Sequence, residues 1–187
     1  MNSKMTHLIV GLSAAALLFS ASGCASCKPG GNPGKAQAYN VVVKMDPSLA
    51  GKSVVVDLIG ANGDDLSRVK SYAMSKYWKV NDAFRRDLSP KTLNFVSGNP
   101  EQTLPSTDPI WKNWFGRSAS YLVVVADLPG LFEDRPGKED ARRQVVELCP
   151  CYWDDSVSGK AKTIVVEIKP SGVSVVSPRR EGWMSVW

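Results

Sequence analysis

Histidine is almost absent from this chain, whose 187 residues contain one, His7, close to the N-terminus. If the N-terminal segment is removed, no imidazole remains. This excludes histidine-based nucleophilic triads and imidazole metal sites, and it removes the side chain best suited to acid–base catalysis near neutral pH. Carboxylates are left as the main catalytic option, and adjacent acids occur at Asp64-Asp65, Glu133-Asp134, Glu139-Asp140 and Asp154-Asp155.

These acid pairs do not form a recognisable catalytic pattern. A glycosidase needs two acids brought together from distant parts of a cleft, and adjacent acids on loops are usually solvated. Asp154-Asp155 lacks the alternating acids of a calcium loop. We therefore expect no enzyme, no catalytic residue, no metal site, no cofactor and no small-molecule substrate.

The chain also lacks an apolar run of the roughly 20 residues that a membrane-spanning helix needs. The segment from Leu8 to Phe19 has twelve mostly apolar residues, follows Lys4 and precedes the small residues Ala21-Ser22-Gly23. A basic start, a short apolar stretch and a small-residue end are typical of a cleaved targeting signal. We predict that residues 1–23 form a signal peptide.

The end of this segment, Phe19-Ser20-Ala21-Ser22-Gly23-Cys24, resembles a bacterial lipobox, although Ala21 stands where Leu is usual. In such proteins the cysteine becomes the first mature residue and carries acyl chains, such as palmitate. Cys24 is therefore the predicted lipidation site, with the bilayer as partner. The alternative is an ordinary secretory signal followed by a chance cysteine. Ala25, in place of an Asp, favours the outer membrane, with the domain facing the periplasm.

Removing 23 of the 187 residues leaves 164, enough for one domain, and lowers the net charge from +5 to +4 because Lys4 is lost. The basic residues are dispersed, so no nucleic-acid partner is expected. Residues 24–37 are rich in Gly and Pro and predict a flexible tether. Residues 38–178 form the predicted domain, and residues 179–187 a C-terminal tail.

Cysteine is scarce, with four in the chain. If Cys24 carries lipid, Cys27, Cys149 and Cys151 remain, an odd number in a compartment where disulfides persist. Cys149 and Cys151 could close a small ring, or one of them could pair with Cys27 and tie the tether to the domain. The sequence does not choose between these pairings.

Period-two alternation of apolar residues predicts about seven short strands. One helix is expected where Leu66, Val69, Ala73, Tyr77 and Val80 recur at spacings of three and four. This pattern predicts a mainly β fold, an antiparallel β-sandwich with one or two short helices inserted. The predicted strands are Tyr39 to Met45, Lys52 to Ile59, Thr92 to Val96, Tyr121 to Ala126, Arg143 to Leu148, Lys162 to Lys169 and Val173 to Val176.

The stretch from Ser97 to Arg117 is predicted to be irregular, because it contains three prolines. Trp111, Trp114 and Phe115 within it could form an exposed binding platform, with Asp108 nearby. We favour the other interpretation, in which these aromatics fold back and cover one end of the core.

The order of these features resembles the TssJ family, the outer-membrane lipoproteins of type VI secretion systems. The resemblance is carried by the lipobox, the loop Asp46-Pro47 through Gly51, the strand Lys52-Ser53-Val54-Val55-Val56, and the segment Tyr121-Leu122-Val123-Val124-Val125-Ala126-Asp127. It covers most of the mature chain. The long aromatic loop, Cys149-Pro150-Cys151 and the tail depart from the family pattern.

The resemblance implies a transthyretin-like sandwich on the inner leaflet of the outer membrane. It implies docking to the periplasmic part of the inner-membrane core protein TssM through Asp46, Pro47, Ser48 and Leu49. An exposed Leu49 beside a rigid proline would make a small anchor, whereas the alternative folds Leu49 onto the core. The competing function is a periplasm-facing carbohydrate- or peptidoglycan-binding lipoprotein, or a hydrolase, that uses the aromatic platform.

Overall fold

The computed structural model describes residues 34–96 and 99–180, and these form a mainly β structure. The predictions for residues 1–33, which include Cys24 and Cys27, concern residues outside the described ranges, as do those for Ser97, Gly98 and residues 181–187. The strands are β1 (Asn40–Met45), β2 (Val54–Ala61), β3 (Lys91–Phe95), β4 (Glu101–Leu104), β5 (Tyr121–Asp127), β6 (Arg143–Glu147), β7 (Thr163–Lys169) and β8 (Gly172–Val175).

The strands form two four-stranded sheets, which confirms the predicted sandwich. The first sheet has the order β4-β1-β7-β8, and the second sheet has the order β3-β2-β5-β6. All pairings are antiparallel except that of β1 with β7, which is parallel with Val41 opposite Ile164. Only strands joined by a tight hairpin must run antiparallel, and most of the chain separates β1 from β7. The first sheet is therefore mixed.

The core lies between the sheets and is built by alternation along the strands. Val41 and Val43 of β1 are fully buried against residues of β2 and β5, such as Val56 and Val124. Full burial of each such side chain contributes about 1.5–3 kcal/mol. Packing of the inner faces of the two sheets therefore accounts for the predicted alternation of apolar and polar residues along the strands.

A second apolar cluster covers the outer face of the second sheet. Val123 and Val125 of β5 point to this side and are fully buried, as the valine-rich sequence of β5 predicts for a central strand. They are covered by Val69, Met74 and Tyr77 from a helical insertion between β2 and β3. The second sheet is thus buried on both faces.

The described residues contain five short α-helices, more than the one or two that were predicted. They are α1 (Gly63–Ser71), α2 (Met74–Tyr77), α3 (Ala83–Leu88), α4 (Ile110–Gly116) and α5 (Asp155–Ser158), with 3-10 turns at Pro47–Leu49 and Pro150–Tyr152. None of the helices in the part of the chain described by the structure is both long and apolar enough to span a bilayer.

The single helix predicted from Leu66 to Val80 is divided into α1 and α2. Tyr72 between them is extended, with φ −90° and ψ 135°, so the apolar stripe does not continue on one helix. Val69 and Tyr77 from the predicted stripe are buried, but Val80 is 90% exposed. Asn62 caps α1 by accepting a hydrogen bond from the Asp65 amide at 2.9 Å.

The stretch from Ser97 to Arg117 contains β4 and α4, so the prediction of an irregular segment is wrong for most of it. Proline before the helix does not prevent α4 from forming, because the first amides of a helix have no partner inside it. Trp111 and Trp114 of α4 are 3% and 0% exposed, and Phe115 is half-buried. The aromatics cover one end of the core, and the interpretation as an exposed platform is wrong.

Close packing explains why β2 has a glycine opposite α4. A Cβ atom on Gly60 would lie 2.2 Å from Cγ of Trp114, so any side chain there would displace the indole ring. The indole ring of Trp114 occupies the space that a side chain would need. This contact fixes α4 against the second sheet.

A buried carboxylate joins the second sheet to the helical insertion. Asp57 of β2 is fully buried and accepts hydrogen bonds from the Tyr77 hydroxyl at 2.7 Å, Nε of Arg85 at 2.6 Å and the Thr92 hydroxyl at 2.6 Å. Burial, followed by the charge of Asp57, raises the pKa of Tyr77. Because the donors surround the carboxylate, this network holds α2 and α3 to the sheet.

Candidate docking end

Two opposite ends of the sandwich can be defined from the course of β1. The tether end comprises residues 34–39, 148–162 and 177–180, and the loop end comprises residues 46–53, 99–100, 128–142 and 170–171. At the start of β1, the Gln37 amide donates to the Leu148 carbonyl at 3.0 Å; at its end, the Asp46 amide donates to the Ile168 carbonyl at 2.9 Å. Six residues of strand separate these bonds, or about 20 Å.

The four residues predicted to bind a partner all lie at the loop end. Pro47 and Ser48 are exposed, Asp46 is half-buried and Leu49 is fully buried. The expectation of an exposed Leu49 anchor is therefore wrong. The 3-10 turn directs this side chain into the core, as the alternative interpretation required.

Local hydrogen bonds fix the shape of this turn. The Asp46 carboxylate accepts bonds from both the hydroxyl and the amide of Ser48, the latter at 2.9 Å. These bonds lower the pKa of Asp46. The Ala50 amide donates to the Pro47 carbonyl at 3.0 Å, and Gly51 follows with φ +79°, a conformation that favours glycine. Pro47 and Ser48 are presented on a preformed turn.

The second element of the loop end, residues 128–142, was not singled out by the sequence. Leu131 in it is fully exposed, the most exposed large apolar side chain of the described residues. The only sequence signal was the apolar pair Leu131-Phe132 directly after Pro129-Gly130. A turn signal followed by apolar residues could have marked this loop as a contact surface.

An arginine holds this loop in place. Arg142 donates through Nη2 to Asp134 at 2.7 Å and to Asp140 at 2.8 Å, and its Nε donates to Asp140 at 2.9 Å. Its guanidinium carbon lies 5.6 Å from the centre of the Phe132 ring. The expectation that Glu133-Asp134 and Glu139-Asp140 are merely solvated is therefore wrong for Asp134 and Asp140.

The same loop is bonded to the helical insertion. Asp134 accepts from the Ser75 hydroxyl and amide, and these bonds, followed by Arg142, lower the pKa of Asp134 to about 2. Burial opposes ionisation of Asp140, but the bonds from Arg142 outweigh it and lower the pKa of that carboxyl. The Arg143 guanidinium donates to the Val69 carbonyl at 2.7 Å. The loop is thus bonded to the helical insertion through Asp134 and Arg143.

The other predicted acids also have local structural roles. Asp64 and Asp65 lie in the first turn of α1, and Asp154 caps α5. Asp108 accepts hydrogen bonds from the Ile110 amide and from Lys91. Both bonds lower the pKa of Asp108, that from Ile110 the more strongly. Within residues 34–96 and 99–180, no group of three or more His, Cys, Asp or Glu side chains could hold a metal ion.

The tether end contains the described cysteines. Cys149 is a free, buried thiol whose Sγ donates to the Gly34 carbonyl at 3.4 Å, whereas Cys151 is disulfide-bonded. The alternative in which Cys149 and Cys151 close a ring is therefore wrong. Burial, followed by the charge of Glu147, raises the pKa of the Cys149 thiol.

Residues outside the predicted domain boundaries contact the domain at the tether end. Gln37, assigned to the tether, bonds to Leu148, and Arg179 and Arg180, assigned to the tail, bond to residues near α5. Backbone groups that reach a partner on the domain become ordered with it, whatever the local composition suggests. Residues on both sides of the predicted range of 38–178 are therefore bonded to the domain.

Solved structures of similar architecture are components of type VI secretion systems. A type VI membrane complex matches with 14% identity and a TM-score of 0.44, covering 76% of this chain and 99% of that chain. Serratia marcescens Lip, described as a membrane-bound component of the type VI secretion system, matches with 15% identity and a TM-score of 0.41, covering 74% and 96%.

The type VI secretion lipoprotein TssJ1 from Pseudomonas aeruginosa matches with 12% identity and a TM-score of 0.43, covering 76% of this chain and 97% of that chain. TssJ1 bears the name of the family that the sequence resembles. No protein-family model and no curated protein matches the chain.

Proposed function

We propose that this protein is a lipid-anchored, non-enzymatic docking component of a type VI secretion membrane complex. The observation that carries the proposal is the separation of the two ends of the sandwich. The chain enters the domain at the tether end, and the ordered, partly apolar loops lie about 20 Å away at the loop end. An anchored protein with this arrangement presents its loops away from the membrane.

The anchor in this proposal is the acylated Cys24, in the outer membrane, with the domain in the periplasm. Support comes from the lipobox, from Ala25 after the cysteine and from the order of motifs that resembles the TssJ family. Two or more acyl chains give stable attachment, since each buried CH₂ contributes about 0.8 kcal/mol.

Cys27 is the disulfide partner of Cys151 in this proposal. The chain has four cysteines, Cys149 is free, and Cys24 is the acyl acceptor, which leaves Cys27. Three residues of extended chain span at most about 11 Å. The disulfide would therefore hold the domain close to the lipid instead of on a long flexible tether.

The docking surface is the loop end, with Asp46, Pro47 and Ser48 in contact with the periplasmic part of an inner-membrane core protein, TssM in the family that the sequence resembles. Leu49 supports the turn from inside, and Leu131 supplies the apolar contact that Leu49 does not. Both elements are held by hydrogen bonds, so little entropy is lost when they bind.

Capture of envelope proteins tests this proposal. The tagged chain is recovered from solubilised envelopes, and bound inner-membrane proteins are identified by mass spectrometry. The variants Ser48→Arg and Leu131→Asp should reduce recovery of the inner-membrane component at least tenfold, the effect of about 1.4 kcal/mol. Val176→Asp is the matched control, because Val176 is 48% exposed beyond β8, outside the loop end.

Two results would contradict the proposal. If the wild-type protein recovers no inner-membrane secretion component, the proposed docking function is excluded. If Val176→Asp reduces recovery as much as Ser48→Arg and Leu131→Asp do, the loop end is excluded as the docking surface.

A further inference from the structure

We propose that a cavity beside the loop end binds a carboxylate group, and that this carboxylate belongs to an acidic segment of the docked partner. The cavity has a volume of about 310 Å³ and is lined by residues of α1, of the loop that follows residue 136, and of β6. The assignment of the carboxylate to a protein rests on the proposed docking function. Neither the Asp46 turn nor Leu131 lines the cavity, so it would be an additional contact with that partner.

The cavity contains a buried cation. Arg143 of β6 lines it and is 8% exposed. Its Nη1 donates to the Val69 carbonyl at 2.7 Å, and its Nη2 donates to the Lys138 carbonyl at 2.8 Å, so both of these acceptors are neutral. No carboxylate of residues 34–96 or 99–180 forms an ion pair with Arg143. Because an arginine stays charged, a positive charge is buried here without an anion in contact.

The neighbouring acid Asp140 is already bonded to another arginine. Its two carboxylate oxygens accept hydrogen bonds from Nε and Nη2 of Arg142, at 2.9 and 2.8 Å. Burial lowers the pKa of Arg143, and the charge of Asp140 offsets only part of that effect. A carboxylate bound in the cavity would supply the charge that the Arg143 guanidinium lacks.

Two lysines add positive charge to the lining. Lys70, which is half-buried in α1, and the exposed Lys138 both line the cavity. The Gly137 amide donates to the Lys70 carbonyl at 2.8 Å, and this bond holds the loop against the end of α1. The exposed Glu139 is the opposing acid of the lining. Three cations therefore outnumber the two acids around the cavity, and one of those acids, Asp140, is bonded to Arg142.

The apolar part of the lining and the size of the cavity limit the ligand. Val145 is 6% exposed and contributes apolar surface to the lining. Ligand pockets usually have volumes of about 300–1,000 Å³, so this cavity is at the small end of that range. A glutamate side chain, with an apolar stem and a carboxylate end, suits both features, and guanidinium groups form strong hydrogen bonds with carboxylates. A protein is favoured as the source because residues 137–142 belong to the loop end.

Titration with a peptide tests this inference. The probe is a short peptide with blocked ends and two adjacent glutamates, and NMR follows the backbone amide signals of Gly137 and Lys138 in the isotope-labelled full-length protein. The glutamate peptide should shift these signals, and the same peptide with glutamines should not. Lys70→Met/Lys138→Met should raise the dissociation constant of the glutamate peptide about tenfold. Glu139→Gln should lower it about twofold to threefold, because it removes the opposing acid.

Lys52→Met is the matched control. Lys52 is an exposed lysine of the loop end that does not line the cavity, so its replacement should leave the dissociation constant unchanged. Arg143 stays in place in all of these variants, because its bonds to the Val69 and Lys138 carbonyls hold α1 to the loop. Equal weakening by Lys52→Met would overturn the cavity as the binding site and leave general charge attraction.

Two further results would overturn the inference. A glutamate peptide that shifts neither amide signal would exclude the carboxylate site. Succinate that binds as tightly as the peptide would make a free dicarboxylate the ligand and exclude an acidic segment of a protein.

The peptide titration and the envelope capture can fail separately. Capture of the inner-membrane component without peptide binding would keep the docking function and exclude this inference. Peptide binding without capture would exclude the docking function, and with it the docked partner as the source, and keep the cavity as a carboxylate site.

Discussion

The loop end and the tether end are ordered by different interactions. At the loop end, side-chain carboxylates hold two of the loops that connect strands. Asp46 accepts a hydrogen bond from Ser48, and Asp134 and Asp140 accept hydrogen bonds from Arg142. At the tether end, backbone hydrogen bonds, the buried Trp153 and the disulfide of Cys151 dominate. The proposed docking would use the ordered loops of the first end, and the proposed anchor would attach at the second end.

Arg142→Ala should have the largest effect, because it removes the cation that holds the loop end. Asp140, with its side chain 2% exposed, would be left without its ion pair. Loss of one partner from a buried pair typically costs about 3–5 kcal/mol. Denaturant unfolding should show this loss, and limited proteolysis should cut within residues 128–142 while the tether end stays protected.

Arg135→Ala is the control for this variant in the same loop. Arg135 is 3.9 Å from Glu133, and both side chains are largely exposed, so its removal should change stability by less than about 0.5 kcal/mol. Similar costs for the two variants would show that the loop end does not depend on Arg142.

The two described cysteines provide the next test, at the tether end. Cys151→Ser should lower stability by about 2–4 kcal/mol, the typical contribution of a disulfide. Cys149→Ser should cost about 1 kcal/mol, because it replaces a buried free thiol. Thermal unfolding with and without dithiothreitol measures both effects.

Dithiothreitol should lower the melting temperature of the wild type and of Cys149→Ser and leave that of Cys151→Ser unchanged. A larger effect of reductant on Cys151→Ser than on Cys149→Ser would contradict the assignment of the disulfide.

Acid should weaken the loop end, with the smallest effect of the three. The pKa of Asp134 is lowered from 3.8 to about 2, so its contribution to stability is present above pH 4 and is lost as pH falls through about 2. Asp134→Asn should remove this part of the acid dependence. Unfolding at pH 6 and at pH 2.5 measures it, and an unchanged pH dependence in the variant would exclude the role of Asp134.

The sandwich could be predicted because its strands alternate strictly. The period-two patterns of Tyr39 to Met45 and Lys162 to Lys169 correspond to β1 and β7, whose inner faces form the core. β4 was missed because its four residues are mostly polar and exposed, so no apolar alternation marks it. Its place in the sheet depends on pairing with β1, which is a long-range interaction.

Burial at the candidate surface was harder to predict. Leu49 looks like an exposed anchor in sequence because it lies in a polar turn, but the 3-10 geometry after Pro47 directs it inward. The bonds around Arg142 were not predicted, because Asp134 and Asp140 have the sequence pattern of solvated surface acids. Their partners Ser75 and Arg142 reach them only in the folded structure. Tertiary contacts set the environment of these groups, and local composition does not encode it.

The path of β1 has a mechanical consequence for a protein held at both ends. A force between the lipid and a docked partner would run along β1, which joins the tether end directly to the Asp46 turn. β1 is flanked by β7 over six paired residues and by β4 over four. Hydrogen bonds between strands lie across this pulling direction, so the load would be shared among them in shear and would not unzip them one by one.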